Sequence, residues 1–150
     1  NGIGFFMAML GVGFSIAMLY GVTFLTQRFK NHKIALYTFL ISTVCFGVTI
    51  LPDQLGLVWI SGFILALAMA VAYPVLITLY SDLVGAERQG WIMGVNNAVI
   101  AVAWAVTGAT GGFFSSINEM LGLLIGGVIM GLTTIGMVIY NKSKHVKIAN

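Results

Sequence analysis

The side chains able to do chemistry are few, and the most unusual are two adjacent amides, Asn96 and Asn97, inside the apolar run 91–114. An amide in hydrocarbon needs a partner or water. The pair therefore either lines a polar cavity that binds a solute or bonds across to another helix. Asn97 and Trp104 lie seven residues apart, which places them on one helical face. In the preceding apolar run Tyr73 and Pro74 break the pattern; the proline removes the backbone bond to Ala70 and tends to bend a helix. Such bends occur as fixed structural features and also border transporter sites and hinges.

Other chemistry has little to stand on. The two histidines, His32 and His145, sit among basic residues, and no serine in an apolar run has a base nearby. Paired metal ligands are missing from the sequence. Neither an enzyme, nor a cofactor, nor a metal site is expected. No apolar run contains Asp, Glu, Lys, Arg or His, so a proton-relay carboxylate is not expected within these segments. The single cysteine, Cys45, reads as a small buried hydrophobe.

The elements that position these residues follow from composition. The chain is 59% hydrophobic and only 7% charged, against about 25% charged residues in an ordinary soluble domain. Its charges fall in short clusters separated by runs of about 20 residues, the length that crosses the hydrocarbon core. Backbone polar groups in lipid must be satisfied within their own segment, so each run reads as a helix; without strict alternation, barrel strands are excluded. The expected fold is an all-α membrane protein with five spans at about 2–26, 34–51, 57–80, 91–114 and 120–140, and a polar tail over 141–150.

Charge orients the spans. All seven basic residues, Arg28, Lys30, Lys33, Arg88, Lys142, Lys144 and Lys147, fall in the segments 27–33, 81–90 and 141–150, which share one side in a five-span topology. The other side carries Asp53 and Glu119 with no Lys or Arg. The first side is cytoplasmic by the positive-inside rule, which places the first residue outside and the C-terminus inside. Forcing the cluster around Lys30 to mid-bilayer would cost about 9 kcal/mol, at about 3 per charge. The basic segments read as topology determinants, and no nucleic-acid partner is expected. With neither an initiator Met nor a signal peptide, the chain reads as a fragment of a longer protein.

Small residues recur at helical spacing and predict close helix packing. They are Gly13, Ala17 and Gly21; Gly62, Ala66 and Ala70; Gly122, Gly126 and Gly127; and the longest row, Gly94, Ala98, Ala101, Ala105, Gly108 and Gly112.

Three segments resemble the major facilitator superfamily, and the spacing of the spans resembles the last five of its twelve helices, particularly in drug:proton antiporters of the tetracycline-efflux type. Leu25-Thr26-Gln27-Arg28-Phe29-Lys30-Asn31-His32-Lys33 looks like the family's basic loop, with Arg28, Lys30 and Lys33 in its cluster. Gln27 stands where the family has Asp, and Lys30 where it has Gly. Glu87-Arg88-Gln89-Gly90, followed by Gly94, resembles the loop between the tenth and eleventh helices. There Gly85 would permit a tight turn, Glu87 would favour the positive end of the next helix, and Gly90 with Gly94 would allow close packing. Thr107-Gly108-Ala109-Thr110-Gly111-Gly112 is similar to the glycine-rich antiporter signature, with Gly108 in place of proline.

The resemblance implies secondary transport of a small solute by alternating access in the plasma (bacterial inner) membrane, with proton-coupled efflux as one mode. It implies N-terminal helices of the same protein as partner, beside lipid and a small-molecule substrate. Spans one, three and four would line the cavity and spans two and five would form an outer pair. Asn96, Asn97, Trp104, Tyr73, Thr78 and Ser15 would then be cavity residues, with Pro74, Gly94, Gly108, Gly111 and Gly112 at hinges and packing sites. The rival readings are a non-transporting membrane subunit or scaffold, and a channel, whose pore would show matched polar rings on several helices.

Overall fold

A computed structural model describes residues 2–50, 55–118 and 120–149, with side chains at all of these except positions 3, 55, 115 and 143–149. Helix α1 (Gly2–Ile16) passes through a π-helical turn, Ala17–Gly21, into α2 (Val22–Arg28). Then follow α3 (Asn31–Thr49), α4 (Leu55–Ser81), a short 3-10 turn (Ala86–Arg88), α5 (Gln89–Ile117) and α6 (Leu121–Ala149). No strand occurs among the described residues. Five helical stretches are long and apolar enough to cross a membrane: Gly4–Arg28, Asn31–Thr49, Gly56–Ser81, Ala86–Phe114 and Leu121–Lys142.

These stretches match the expected spans to within a few residues, with two exceptions. The fifth apolar stretch ends at Lys142, and the polar residues expected as a tail continue the same helix, α6, to Ala149. The first span contains the π-helical turn, which no apolar pattern announces. Helix α4 continues through Pro74, so the proline does not end it. Leu51, the expected end of span two, and Pro52, Asp53, Gln54 and Glu119 of the expected outer loops lie outside the described residues.

The core forms around α3. Its pairings with α4 and α6 are the most extensive in the fold, and α4 and α6 are joined through it rather than to each other. Ile34, Ala35, Val71 and Val75 form the buried centre, with Ala17, Leu25 and Met137 packed on it. Lipid tails are as apolar as leucine, so helices in a bilayer associate through close packing and polar contacts rather than hydrophobic exclusion. Both devices are present. Gly126 meets the Phe46 ring, and a Cβ built on Gly13 would stand 2.7 Å from the ring of Phe63. The hydroxyls of Thr43 and Thr134 lie 2.9 Å apart between α3 and α6, and those of Thr49 and Ser61 lie 2.9 Å apart between α3 and α4. Ser42, with no exposed surface, donates to the Thr38 carbonyl at 2.8 Å. Cys45 is free and buried in the same helix.

Within these five helices α3 is held between α4 and α6. The physical reason is its spaced hydroxyls and small residues, which suit contact with helices more than with lipid.

The ends of the helices sort as charge predicted. The Asn141 side-chain amide of α6 donates to the His32 carbonyl at the start of α3, at 3.5 Å. Leu79 and Asp82, at the end of α4, face the turn formed by residues 26–32 across one groove. The basic turn, the loop after α4 and the point where α6 reaches Asn141 thus gather at one end. The opposite end is closed by Phe6 against Trp59, ring centroids 4.5 Å apart.

Candidate functional site

Helix α5 carries the two amides and is the barest span, with no buried residue along its apolar stretch. Its half-buried residues cluster toward its two ends, and residues 101–109 are all exposed. The row of small residues expected to pack does not do so here. A Cβ added at Gly90, Gly94, Gly108, Gly111 or Gly112 would meet nothing within 4 Å. These glycines permit close approach, but none of the other four spans takes it up.

Asn96 is half-buried and borders a cavity of about 180 Å³ between α4 and α5, with Tyr80, Ile92, Val95 and Val99 as its other walls. One amide in an otherwise aliphatic wall, facing a phenol, can hydrogen-bond a small polar or amphipathic solute. Asn97, one position on, points away and is exposed. Trp104 shares that outer face and is 75% exposed.

The remaining cavity candidates are not brought to Asn96. Ser15 donates to the Gly11 carbonyl at 2.9 Å and Thr78 to the Pro74 carbonyl at 3.0 Å, so both hydroxyls are occupied within their own helices. Tyr73 is exposed on α4 and lines no part of the Asn96 cavity. The aromatic that does line it, Tyr80, was not among the candidates. The signal was present, since Tyr80 lies seven residues after Tyr73 and thus on the same helical stripe.

At the basic end, Arg28 lies over the ring of Phe24, 4.4 Å from its centroid, a cation–π contact that fixes the guanidinium beside the turn. Gln27, Arg28, Lys30, His32 and Asp82 line an open groove of about 470 Å³. Asp82 places one carboxylate across from the cluster, an acid that the resemblance did not single out. Lys33 is exposed in the first turn of α3, where the helix dipole disfavours a cation.

Glu87, Arg88 and Trp91 surround an open depression of about 320 Å³ at the entry to α5. Glu87 sits in the 3-10 turn before α5, close to the positive end of that helix. Gly85 has φ −64° and ψ 160°, ordinary extended backbone that any residue adopts, so the turn does not depend on glycine there. Nor do Gly90 and Gly94 bring another helix close to the α5 entry; both face open space. Gln89 is the first residue of α5. Among the described residues, no group of three or more His, Cys, Asp or Glu could hold a metal ion.

No family model, curated protein or solved structure matches the chain. The five apolar helices fit a multi-pass membrane protein.

Proposed function

We propose that this chain forms part of a secondary transporter of the major facilitator type, moving a small solute by alternating access. The observation that carries the reading is α5: an amide-bearing span, rich in small residues, with a long uncovered face and a half-buried Asn96 beside a cavity. An uncovered face of this kind suits further helices of the same protein that rock against it around a midplane site. The Glu87-Arg88-Gln89-Gly90 segment leading into that helix supports the family, and the gathering of basic turns at one end supports a cytoplasmic assignment for it. In this reading Asn96 contacts solute, Tyr80 closes the cavity, and Asn97 with Trp104 meets the opposing helices. The lack of ionisable residues within the spans puts any proton-coupling group elsewhere in the protein.

Asn96→Ala in the full-length protein should reduce uptake or efflux of its solute by about tenfold, the loss expected when a buried polar contact to a ligand is left unmade. Unchanged flux for both Asn96→Ala and Asn97→Ala would remove the site. The five helices reconstituted alone should show no flux, and transport by them would overturn the two-part mechanism.

The same lack of ionisable residues within the spans favours a second reading, a membrane-embedded subunit without transport of its own. Full-length flux that depends on Asn96 separates the two.

A further inference from the structure

A second cavity contains neither amide and shares Tyr80 with the first. Helices α4 and α6 do not meet, and between them, over Phe39 of α3, lies a cleft of about 320 Å³. Leu76 and Leu79 form one wall, and Thr133, Gly136 and Met137 the other. The space beside Gly136 is open, since a Cβ there would meet nothing within 4 Å. Tyr80 and Tyr140 border the cleft where both helices reach the basic end of the bundle, the level at which amphipathic rings sit in a membrane interface.

We propose that this cleft seats an acyl chain of an anionic phospholipid, whose headgroup phosphate is held by the basic residues at its mouth. Three features select this occupant. Below the two tyrosines the walls are aliphatic and aromatic, and the one polar side chain there, Thr133, already donates to the Ile129 carbonyl at 2.8 Å; the depth of the cleft therefore offers a polar solute little. Leu79 lines both this cleft and the adjoining groove of Arg28, Lys30 and His32, so a headgroup at the mouth meets that cationic rim. This end of the molecule also carries Arg28, Lys30, Lys33 and Arg88 against only Asp82 and Glu87. Basic pockets between transmembrane helices at the cytoplasmic side recognise anionic headgroups, with the acyl chain following the apolar groove. The phosphate would rest on the cationic rim, the glycerol backbone between the two tyrosines, and the chain along Leu79, Leu76 and Phe39. The inference needs the chain to lie in a bilayer but is independent of transport.

The test uses the protein in phosphatidylcholine vesicles doped with phosphatidylglycerol that carries a photoactivatable acyl chain, with photoactivatable phosphatidylcholine as the parallel probe. Label should concentrate on peptides containing 76–83 and 133–140, and phosphatidylglycerol should be favoured. Lys30→Gln should lower that preference by about fivefold, the contribution of one lysine near an anionic surface. Gly136→Phe fills the cleft without a backbone clash and should remove most of this labelling, whereas Ile135→Phe, on an exposed face of the same helix, should leave it intact. Label spread evenly over all exposed faces, equal labelling by the two lipids, or an undiminished signal in Gly136→Phe would each overturn the proposal. Should Gly136→Phe not fold, the map on the unsubstituted protein decides alone. Loss of solute flux in Asn96→Ala with this labelling unchanged would separate the lipid seat from the transport site.

Discussion

Helices α3 and α5 carry similar residues and meet opposite fates. Each is an apolar span with small and polar side chains at helical spacing. In α3 these are consumed: Ala35 and Ser42 have no exposed surface, and Thr43 and Thr49 bond to α6 and α4. In α5 the corresponding groups face outward, and residues 101–109 touch nothing that buries them. Small-residue spacing in a membrane helix therefore records a capacity for close approach, and the partner that uses it is a separate fact. Small residues on α1 and α6 meet aromatic rings of neighbouring helices, whereas α5 is still open to an association.

The sharpest way to break this contrast is to fill a glycine on each side of it. Gly13→Leu drives a side chain into the ring of Phe63 and should cost about 1–3 kcal/mol of stability in detergent unfolding, the usual penalty of overpacking. Gly108→Leu has open space and should cost nothing measurable by the same assay. Equal losses would mean that α5 is packed after all.

Thiol labelling sharpens the contrast from another side. Cys45 is an internal reference, buried in α3 and slow to react with a water-soluble maleimide. In the five helices without the opposing ones, a cysteine replacing Asn97 should react on the order of tenfold faster, because no packed side chain has to move to expose it. A rate no greater than that of Cys45 would place the outer face of α5 against lipid or protein.

A smaller effect belongs to the hydroxyl clasp between α3 and α6. Thr43→Val and Thr134→Val, alone and together, should give a coupling energy of about 0.6 kcal/mol, typical of a hydrogen bond between membrane helices. Zero coupling would leave packing, with the long Asn141–His32 bond, to hold these helices together. The smallest change is expected at Asn141, only 9% exposed, whose side-chain oxygen has no hydrogen-bond partner among the described residues and whose amide makes a long bond to His32. The orphaned acceptor offsets the weak bond, so Asn141→Leu should shift stability by less than about 0.5 kcal/mol in the same unfolding assay.

Much of the fold was legible before any coordinates. The spans at 57–80 and 91–114 follow from uncharged length alone, because a backbone in lipid has no alternative to the helix and a charge has no place at mid-bilayer. The π-helical turn at Ala17–Gly21 was not legible: Ala, Met, Leu and Tyr carry no mark for one extra residue per turn. The site was half legible. Asn96 stood out as an amide in hydrocarbon, whereas Tyr80 passed unnoticed because a tyrosine near the end of a span looks like an ordinary interfacial anchor.

The order of residues by itself determined which segments are helical and which ends belong together, since both depend on local quantities, hydrophobic length and charge, that no tertiary contact can reverse. Which faces of those helices meet was decided only in three dimensions. Rows of glycine and alanine are interchangeable as patterns, and only the placement of Phe63 against Gly13 and of Phe46 against Gly126, with no such ring opposite Gly108, distinguishes a completed contact from an open one.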